Sequence, residues 1–236
     1  DVCSSDLGGI VGGALLGGHH YHVGGFVYDG AKRGYIDRNG NIVIDSKKDK
    51  VWPMTSYGTV IKDSGKLCFV NRKGEIVIQP GDYDAGEMDK FNGLLALKDN
   101  SSDKWGVFDV STGKQVVSFK YDSISFAGTD RLVVVKDHVK NLINMSTGKS
   151  LYSAQTEATI EPFNSDTVTW VHTGKDAYTI IDNDGHVLFR DTNNIIEDVK
   201  SFNHGFSSVK SKGKWGVMNA KGEWVVQPTY EAVNIL

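Results

Sequence analysis

The chain has 236 residues, 39% of them hydrophobic and 23% charged, with a net charge of −3. That balance belongs to a globular chain and excludes the disordered class. No Lys/Arg cluster marks a nucleic-acid binder, and no apolar run approaches the ~20 residues that a membrane-spanning helix needs.

The first 24 residues differ from all that follow. Asp1 to Leu7 carries no initiator Met and has no echo elsewhere, so the N-terminus is expected to lie upstream. Gly8 to Gly18 is apolar but rich in glycine, and it reads as the tail of a signal sequence, a floppy leader or a sequence artefact. His19-His20-Tyr21-His22 is the one histidine cluster, but no Cys, Asp or Glu lies near enough in sequence to complete a metal site. The reading is therefore no metal there.

From Gly25 onward the chain repeats itself. A turn glycine recurs at Gly40, Gly74, Gly113, Gly148, Gly185 and Gly222. Before each comes a pair of mostly apolar residues and then Asp or Asn: Asp37, Asn71, Asp109, Asn144, Asp182 and Asn219. Asp or Asn bonds its own nearby backbone and Gly supplies a positive φ, which together predict a β-hairpin turn. After the turn run Ile42-Val43-Ile44, Ile76-Val77-Ile78, Val116-Val117, Val187-Leu188-Phe189 and Val225-Val226, with a weaker Ser150-Leu151-Tyr152 in the fourth unit. Short apolar runs of this kind suit strands covered on both faces. A further strand precedes each hairpin: Phe26 to Tyr28, Thr59 to Ile61, Leu94 to Leu97, Leu132 to Val135, Val168 to Val171 and Phe206 to Val209. Phe91, Phe126, Phe163 and Phe202 recur as lead-ins to those strands. Corners at Pro80 to Asp84, Phe119 to Asp122 and Pro228 to Glu231 admit a fourth, short strand. Asn194 to Ser201 is read as loop and strand, and no helical period of any length appears.

Two units carry the fullest version, Lys104 to Asp122 and Lys214 to Glu231, with Trp105-Gly106 and Trp215-Gly216. With the units aligned, the pattern resembles the WG-repeat family of bacterial tandem β-repeats. Four units lack the Trp-Gly pair and are assigned by period and turn. The resemblance implies a repeat module, with no shared catalytic residues to carry over.

Several motifs tempt and fail. Ser146-Thr147-Gly148-Lys149-Ser150 ends like a phosphate-binding loop, but Ile143 stands where that loop needs Gly. Asp182-Asn183-Asp184-Gly185 looks like part of a calcium loop, but Ile180 occupies its first ligand position. Asn100-Ser101-Ser102 and Asn144-Met145-Ser146 fit a glycosylation sequon, the second inside a repeat turn. Cys3 and Cys68 are too few for a disulfide framework, and Cys68 reads as a small buried hydrophobe. Trp105 and Trp215 read as buried wedges between neighbouring sheets.

The expectation is an all-β chain with residues 25–236 as one domain of six three-to-four-stranded units. A sheet with two apolar faces must stack on neighbours. The favoured architecture is a six-bladed β-propeller, the alternative an open β-solenoid of stacked meanders. Function is expected to be a non-enzymatic scaffold binding a protein or cell-surface ligand. The alternatives are a propeller-type glycan hydrolase or lyase and a structural spacer. No catalytic, cofactor or metal residue is assigned, no nucleic-acid partner is expected, and the compartment is open: exported or cell-surface if the leader is a truncated signal sequence, otherwise cytoplasmic.

Overall fold

The computed structural model describes residues 25–29, 32–36, 38–39, 42–48 and 50–236 except 174–177. The leader, the histidine cluster and the first unit's Asp37 and Gly40 lie outside the described residues.

Among the described residues every element is a strand, and all pairing within the sheets is antiparallel. Sheet 1 holds Gly25–Asp29, Lys32–Ile36 and Ile42–Lys48. The remaining sheets have four strands each. Sheet 2 runs Lys50–Val51, Thr59–Asp63, Lys66–Val70, Ile76–Gly81. Sheet 3 runs Tyr83–Asp89, Leu94–Asp99, Lys104–Asp109, Gln115–Tyr121. Sheet 4 runs Ser123–Gly128, Arg131–Lys136, Val139–Asn144, Ser150–Gln155. Sheet 5 runs Thr159–Ile160, Val168–His172, Thr179–Asp182, Val187–Arg190. Sheet 6 runs Asp198–Val199, Phe206–Ser211, Lys214–Asn219, Trp224–Tyr230. Each is a simple meander with strands in chain order. The six repeat units are six sheets, and the corners run between them: Pro80 and Gly81 end sheet 2 before Tyr83 and Asp84 begin sheet 3, and Phe119 to Tyr121 end sheet 3 before sheet 4 begins at Ser123.

The described chain divides into two compact units, one reaching to Lys120 and one from Tyr121 to Leu236. In the first, sheet 2 shows how period-2 alternation serves two neighbours. Val60, Phe69 and Ile78 face a cluster shared with Leu95 and Phe108 of sheet 3. Ile61, Cys68 and Val70 face the opposite way, against Tyr35 of sheet 1. Burial pushes the Tyr35 phenol up to about 12. In the second unit sheet 5 does the same: Val171 and Ile181 join Val133 and Leu142 of sheet 4, while Trp170 and Ile180 join Phe202, Val209 and Met218 of sheet 6. An unbroken apolar run is the sequence of a strand that must satisfy both sides.

Cys68 is fully buried, as its apolar run implied, but it is more than a small hydrophobe, since it is disulfide-bonded and not a free thiol. The Trp-Gly pairs differ from expectation. Trp105 and Trp215 are only half-buried, and they lie across their own sheets instead of wedging between sheets. A Cβ on Gly86, in the first strand of sheet 3, would meet the Trp105 ring at 2.4 Å. In sheet 6 the Lys200 ammonium sits 5.2 Å from the Trp215 ring centroid. The paired glycines have a separate reason. A Cβ on Gly106 or Gly216 would meet the carbonyl oxygen of Val117 or Val226 at 2.5 and 2.4 Å. In sheet 6 the register shifts there, so the glycine admits a bulged fourth strand.

Candidate functional site

The recurring Asp/Asn builds the hairpin turn in two versions. In sheets 2, 5 and 6 the side-chain Oδ1 of Asn71, Asp182 or Asn219 accepts the N–H groups two and four residues on, at 2.9–3.0 Å. The residue after the turn glycine then reaches back. Asn71 and Asn219 donate Nδ2 to the carboxylates of Glu75 and Glu223, at 3.3 and 3.2 Å. Asp182 instead accepts from His186 Nδ1, 3.0 Å from its Oδ2. An amide faces a carboxylate in two turns and a carboxylate faces an imidazole in the third, so donor meets acceptor each time. Burial of Asp182 raises its pKa, but the His186 and Asp184 bonds outweigh that and hold the carboxyl below its usual range.

Sheets 3 and 4 use a turn one residue longer, closed by Gly113 N–H on Asp109 O and Gly148 N–H on Asn144 O, both at 2.7 Å. The Ser111 hydroxyl and N–H bond Asp109 Oδ1 and lower its pKa. The phosphate-loop look-alike is this turn in sheet 4. Thr147 N–H is taken by Asn144 Oδ1 and Lys149 N–H by Thr147 Oγ1, which leaves neither amide for a phosphate.

Asp182, Asp184 and His186 bring ligand atoms within 4.8 Å of one another. Those atoms are engaged already: Asp182 by the turn, and Asp184 Oδ1 by Arg131 Nη2 at 3.2 Å. A cation would have to break the turn and displace a guanidinium.

A second feature recurs with more room for chemistry. In sheets 2, 5 and 6 the residue just past the first strand is tied twice to the second. Its N–H donates to the second strand: Trp52 to Val60 O, Glu161 to Trp170 O and Lys200 to Ser208 O, at 2.9–3.1 Å. Its carbonyl accepts a buried hydroxyl: Thr59 Oγ1 to Trp52 O at 2.6 Å, Thr169 Oγ1 to Glu161 O at 2.9 Å and Ser207 Oγ to Lys200 O at 2.6 Å. The sequence analysis passed over these hydroxyls, because Thr59, Thr169 and Ser207 look like ordinary strand residues. Gly86 holds the matching place in sheet 3, since Ala85 pairs with Leu97 as Val199 pairs with Val209.

These tethered residues open onto clefts between neighbouring sheets. The cleft between sheets 2 and 3 has a volume of about 190 Å³ and is walled by Trp52, Pro53, Val60, Ala85, Met88 and Leu95, with Lys90 at its rim. The cleft between sheets 5 and 6 has a volume of about 360 Å³ and is lined by Glu161, Trp170, Val199, Lys200 and Ser201. Glu161 Oε1 lies 3.1 Å from His172 Nε2, and the His172 ring stacks on Tyr178 at 5.1 Å. Trp170 forms the inner wall. It is 1% exposed, stacks on Phe202 at 5.4 Å and donates Nε1–H to Ser207 Oγ at 2.8 Å. Trp52 facing Gly86 in one cleft thus becomes Glu161 facing Lys200 in the other.

Several comparisons bear on this chain. No curated protein sequence matches it. A solved eukaryotic initiation factor is similar over 84% of this chain and 61% of its own, at 12% identity and a TM-score of 0.56. BamB from Moraxella catarrhalis is similar over 86% of this chain and 66% of its own, at 16% identity and a TM-score of 0.40. Apo AztD from Citrobacter koseri is similar over 90% of this chain and 72% of its own, at 10% identity and a TM-score of 0.48. The chain spans less than two thirds of the length of the first two. The likeness to the initiation factor shows the fold, sheets of the β-propeller kind. The pattern described as WG containing repeat matches residues 34–61, 69–101, 105–137 and 215–234. It passes over the second half of sheet 4 and all of sheet 5, where Lys140-Asn141 and Tyr178-Thr179 replace Trp-Gly, although both sheets are formed. The matched repeats recur from sheet 1 to sheet 6, and the chain carries WG containing repeats at these four places.

Proposed function

We propose that this chain is a non-enzymatic binding scaffold whose ligand is a protein, engaged at the cleft between sheets 5 and 6. One observation carries the reading. The same doubly tethered backbone place presents Trp52 opposite Gly86 in one sheet pair and Glu161 opposite Lys200 in another. A fixed frame with exchangeable side chains is what a recognition surface needs, and function is argued from such a site rather than from the fold. Carboxylate and ammonium on opposite walls, around a rigid aromatic wall, suit a segment that carries charges of both signs. Glu161 is the carboxylate among the residues lining this cleft, and the His172 ring at 3.1 Å orients it.

The test is a binding screen against arrayed secreted and surface proteins and arrayed glycans, run with the wild type and a Glu161→Ala/Lys200→Ala double variant. The scaffold reading expects a protein ligand whose affinity falls at least about tenfold in the double variant. Release of new reducing ends from a glycan by the wild type alone would replace it with the hydrolase reading.

A further inference from the structure

The carboxylate of the charged cleft has a titratable neighbour. His172 ends the second strand of sheet 5, opposite Thr159 of the first. Alternation along that strand puts His172 on the same face as Trp170, the face that packs against sheet 6. Its Nε2 lies 3.1 Å from Glu161 Oε1, and its ring stacks on Tyr178 at 5.1 Å with 24° between the planes. The His172 side chain is 22% exposed and that of Glu161 36%, so solvent protons reach the pair. The main-chain tether of Glu161 to Trp170 and Thr169 fixes where its carboxylate can meet the ring.

A carboxylate only accepts hydrogen bonds, so the neutral imidazole turns Nε2–H to Glu161 and keeps a bare lone pair at Nδ1. Among the described residues neither His172 Nδ1 nor Glu161 Oε2 is bonded to another group. The other ionisable groups nearby are accounted for. From sheet 5, burial and then the Asp198 charge push the Tyr178 phenol up, so it stays neutral, and its hydroxyl donates to Glu197 O at 3.2 Å. From sheet 6, the Glu197 carboxylate accepts Gly213 N–H at 2.8 Å, Asp198 Oδ1 accepts Val199 N–H at 2.8 Å, and the Lys200 ammonium sits over Trp215. Thr159, on the first strand, does not titrate.

We propose that His172 makes the cleft between sheets 5 and 6 proton-sensitive: neutral His172 leaves the Glu161 charge to a basic group of the ligand, and a proton taken at Nδ1 cancels that charge and releases the ligand. The inference rests on the reading of this cleft as a site for a segment with charges of both signs. Histidine is the side chain whose charge ordinarily changes between about pH 5 and 8. With the imidazole neutral, one negative wall opposes one positive wall. With imidazolium present, Glu161 is half of an ion pair and Lys200 is the charge left over, so a basic ligand group meets a positive site.

The probe is an N-acetylated, C-amidated peptide of alternating Lys and Glu. It is titrated into the full chain at about pH 7.5 and about pH 5.5 and followed through the amide NMR signals of Lys200 and Ser201. The wild type is expected to bind about tenfold more weakly at the lower pH. His172→Gln keeps an N–H toward Glu161 and takes up no proton, so it should match the wild type at the higher pH and hold that affinity at the lower. Glu161→Ala/Lys200→Ala should bind at neither. Equal wild-type affinity at both pH values, with binding still lost in the double variant, overturns this inference and leaves the cleft reading standing. A pH dependence that persists in His172→Gln also overturns it. No binding by the wild type at either pH overturns both.

Discussion

The two clefts share a frame and differ in every side chain that matters. Between sheets 2 and 3, Val60 leaves an apolar hollow and Trp52 faces Gly86. Between sheets 5 and 6, Trp170 fills the equivalent position and Glu161 faces Lys200. The backbone does not register the change: an N–H to the second strand and a buried hydroxyl on the carbonyl hold Trp52 and Glu161 alike. Holding the residue through its main chain leaves its side chain free to vary. A repeat array can thereby differ from one cleft to the next without refolding.

The largest way to break that comparison is at the second strand. Trp170→Ala removes a 1%-exposed ring with an aromatic stack and a hydrogen bond, and should cost about 3–5 kcal/mol. Val60→Ala, at the matching place, should cost about 2 kcal/mol. Urea unfolding of the two variants checks the order. Half-buried Trp105 and Trp215 should each cost less than Trp170.

The turn glycines divide in the same way. Each of those described, Gly74, Gly113, Gly148, Gly185 and Gly222, has a positive φ, and a Cβ there costs about 1 kcal/mol or more whatever surrounds it. Around Gly148 a Cβ meets nothing within 4 Å, so Gly148→Ala should cost that and no more. Gly185 lies against the sheet 4 strand, where a Cβ would meet Leu151 O at 2.0 Å, and Gly222 lies against Phe189 of sheet 5 at 2.2 Å. Gly185→Ala and Gly222→Ala should therefore depress the melting temperature more than Gly148→Ala. Equal depression would show that the turns do not brace the preceding sheet.

Smaller effects sharpen the role of the Trp-Gly pair. Gly86→Ala forces the Trp105 ring aside and should cost about 1–3 kcal/mol. Lys200→Ala, over Trp215, forfeits a surface cation–π contact and should cost about 0.5–1 kcal/mol.

The smallest expected effect depends on pH. The Asp182 carboxyl lies below its ordinary 3.8 in the folded chain, so its stabilising contribution is present above that value and is lost as pH falls through the folded value. The melting-temperature gap between wild type and Asp182→Asn should therefore narrow below about pH 4. Adding His186→Glu to Asp182→Asn recreates the Asn–Glu pairing of sheets 2 and 6 and should recover part of the loss at neutral pH.

Much of the fold was legible because it is repeated. Period, turn residues and apolar runs placed the six sheets, including the second half of sheet 4 and all of sheet 5, where the family pattern itself does not match. The clefts were not legible. Nothing local to Thr59, Thr169 or Ser207 says that the hydroxyl will clamp a carbonyl seven or eight residues earlier in the chain. Trp170 sits in a plain strand sequence, and its importance comes from Phe202, which is far away in sequence. The Trp-Gly pair was misread for a related reason: its ring lies across two strands of its own sheet, a contact that alternation along one strand cannot reveal. Phe91 shows the limit of alignment: Phe163 and Phe202 are buried where Phe91 is 89% exposed, because Ala85 to Leu94 is two residues longer than the matching Val199 to Phe206.

The claim that a main-chain frame carries interchangeable linings is tested most directly by a transplant. Glu161→Trp with Lys200→Gly gives the cleft between sheets 5 and 6 the lining of the other, and amide hydrogen exchange then reads residues 161 and 200. If the frame is independent of its lining, both amides stay as protected as in the wild type, because their bonds to Trp170 O and Ser208 O persist. Loss of that protection, with the rest of sheets 5 and 6 still folded, would contradict the account.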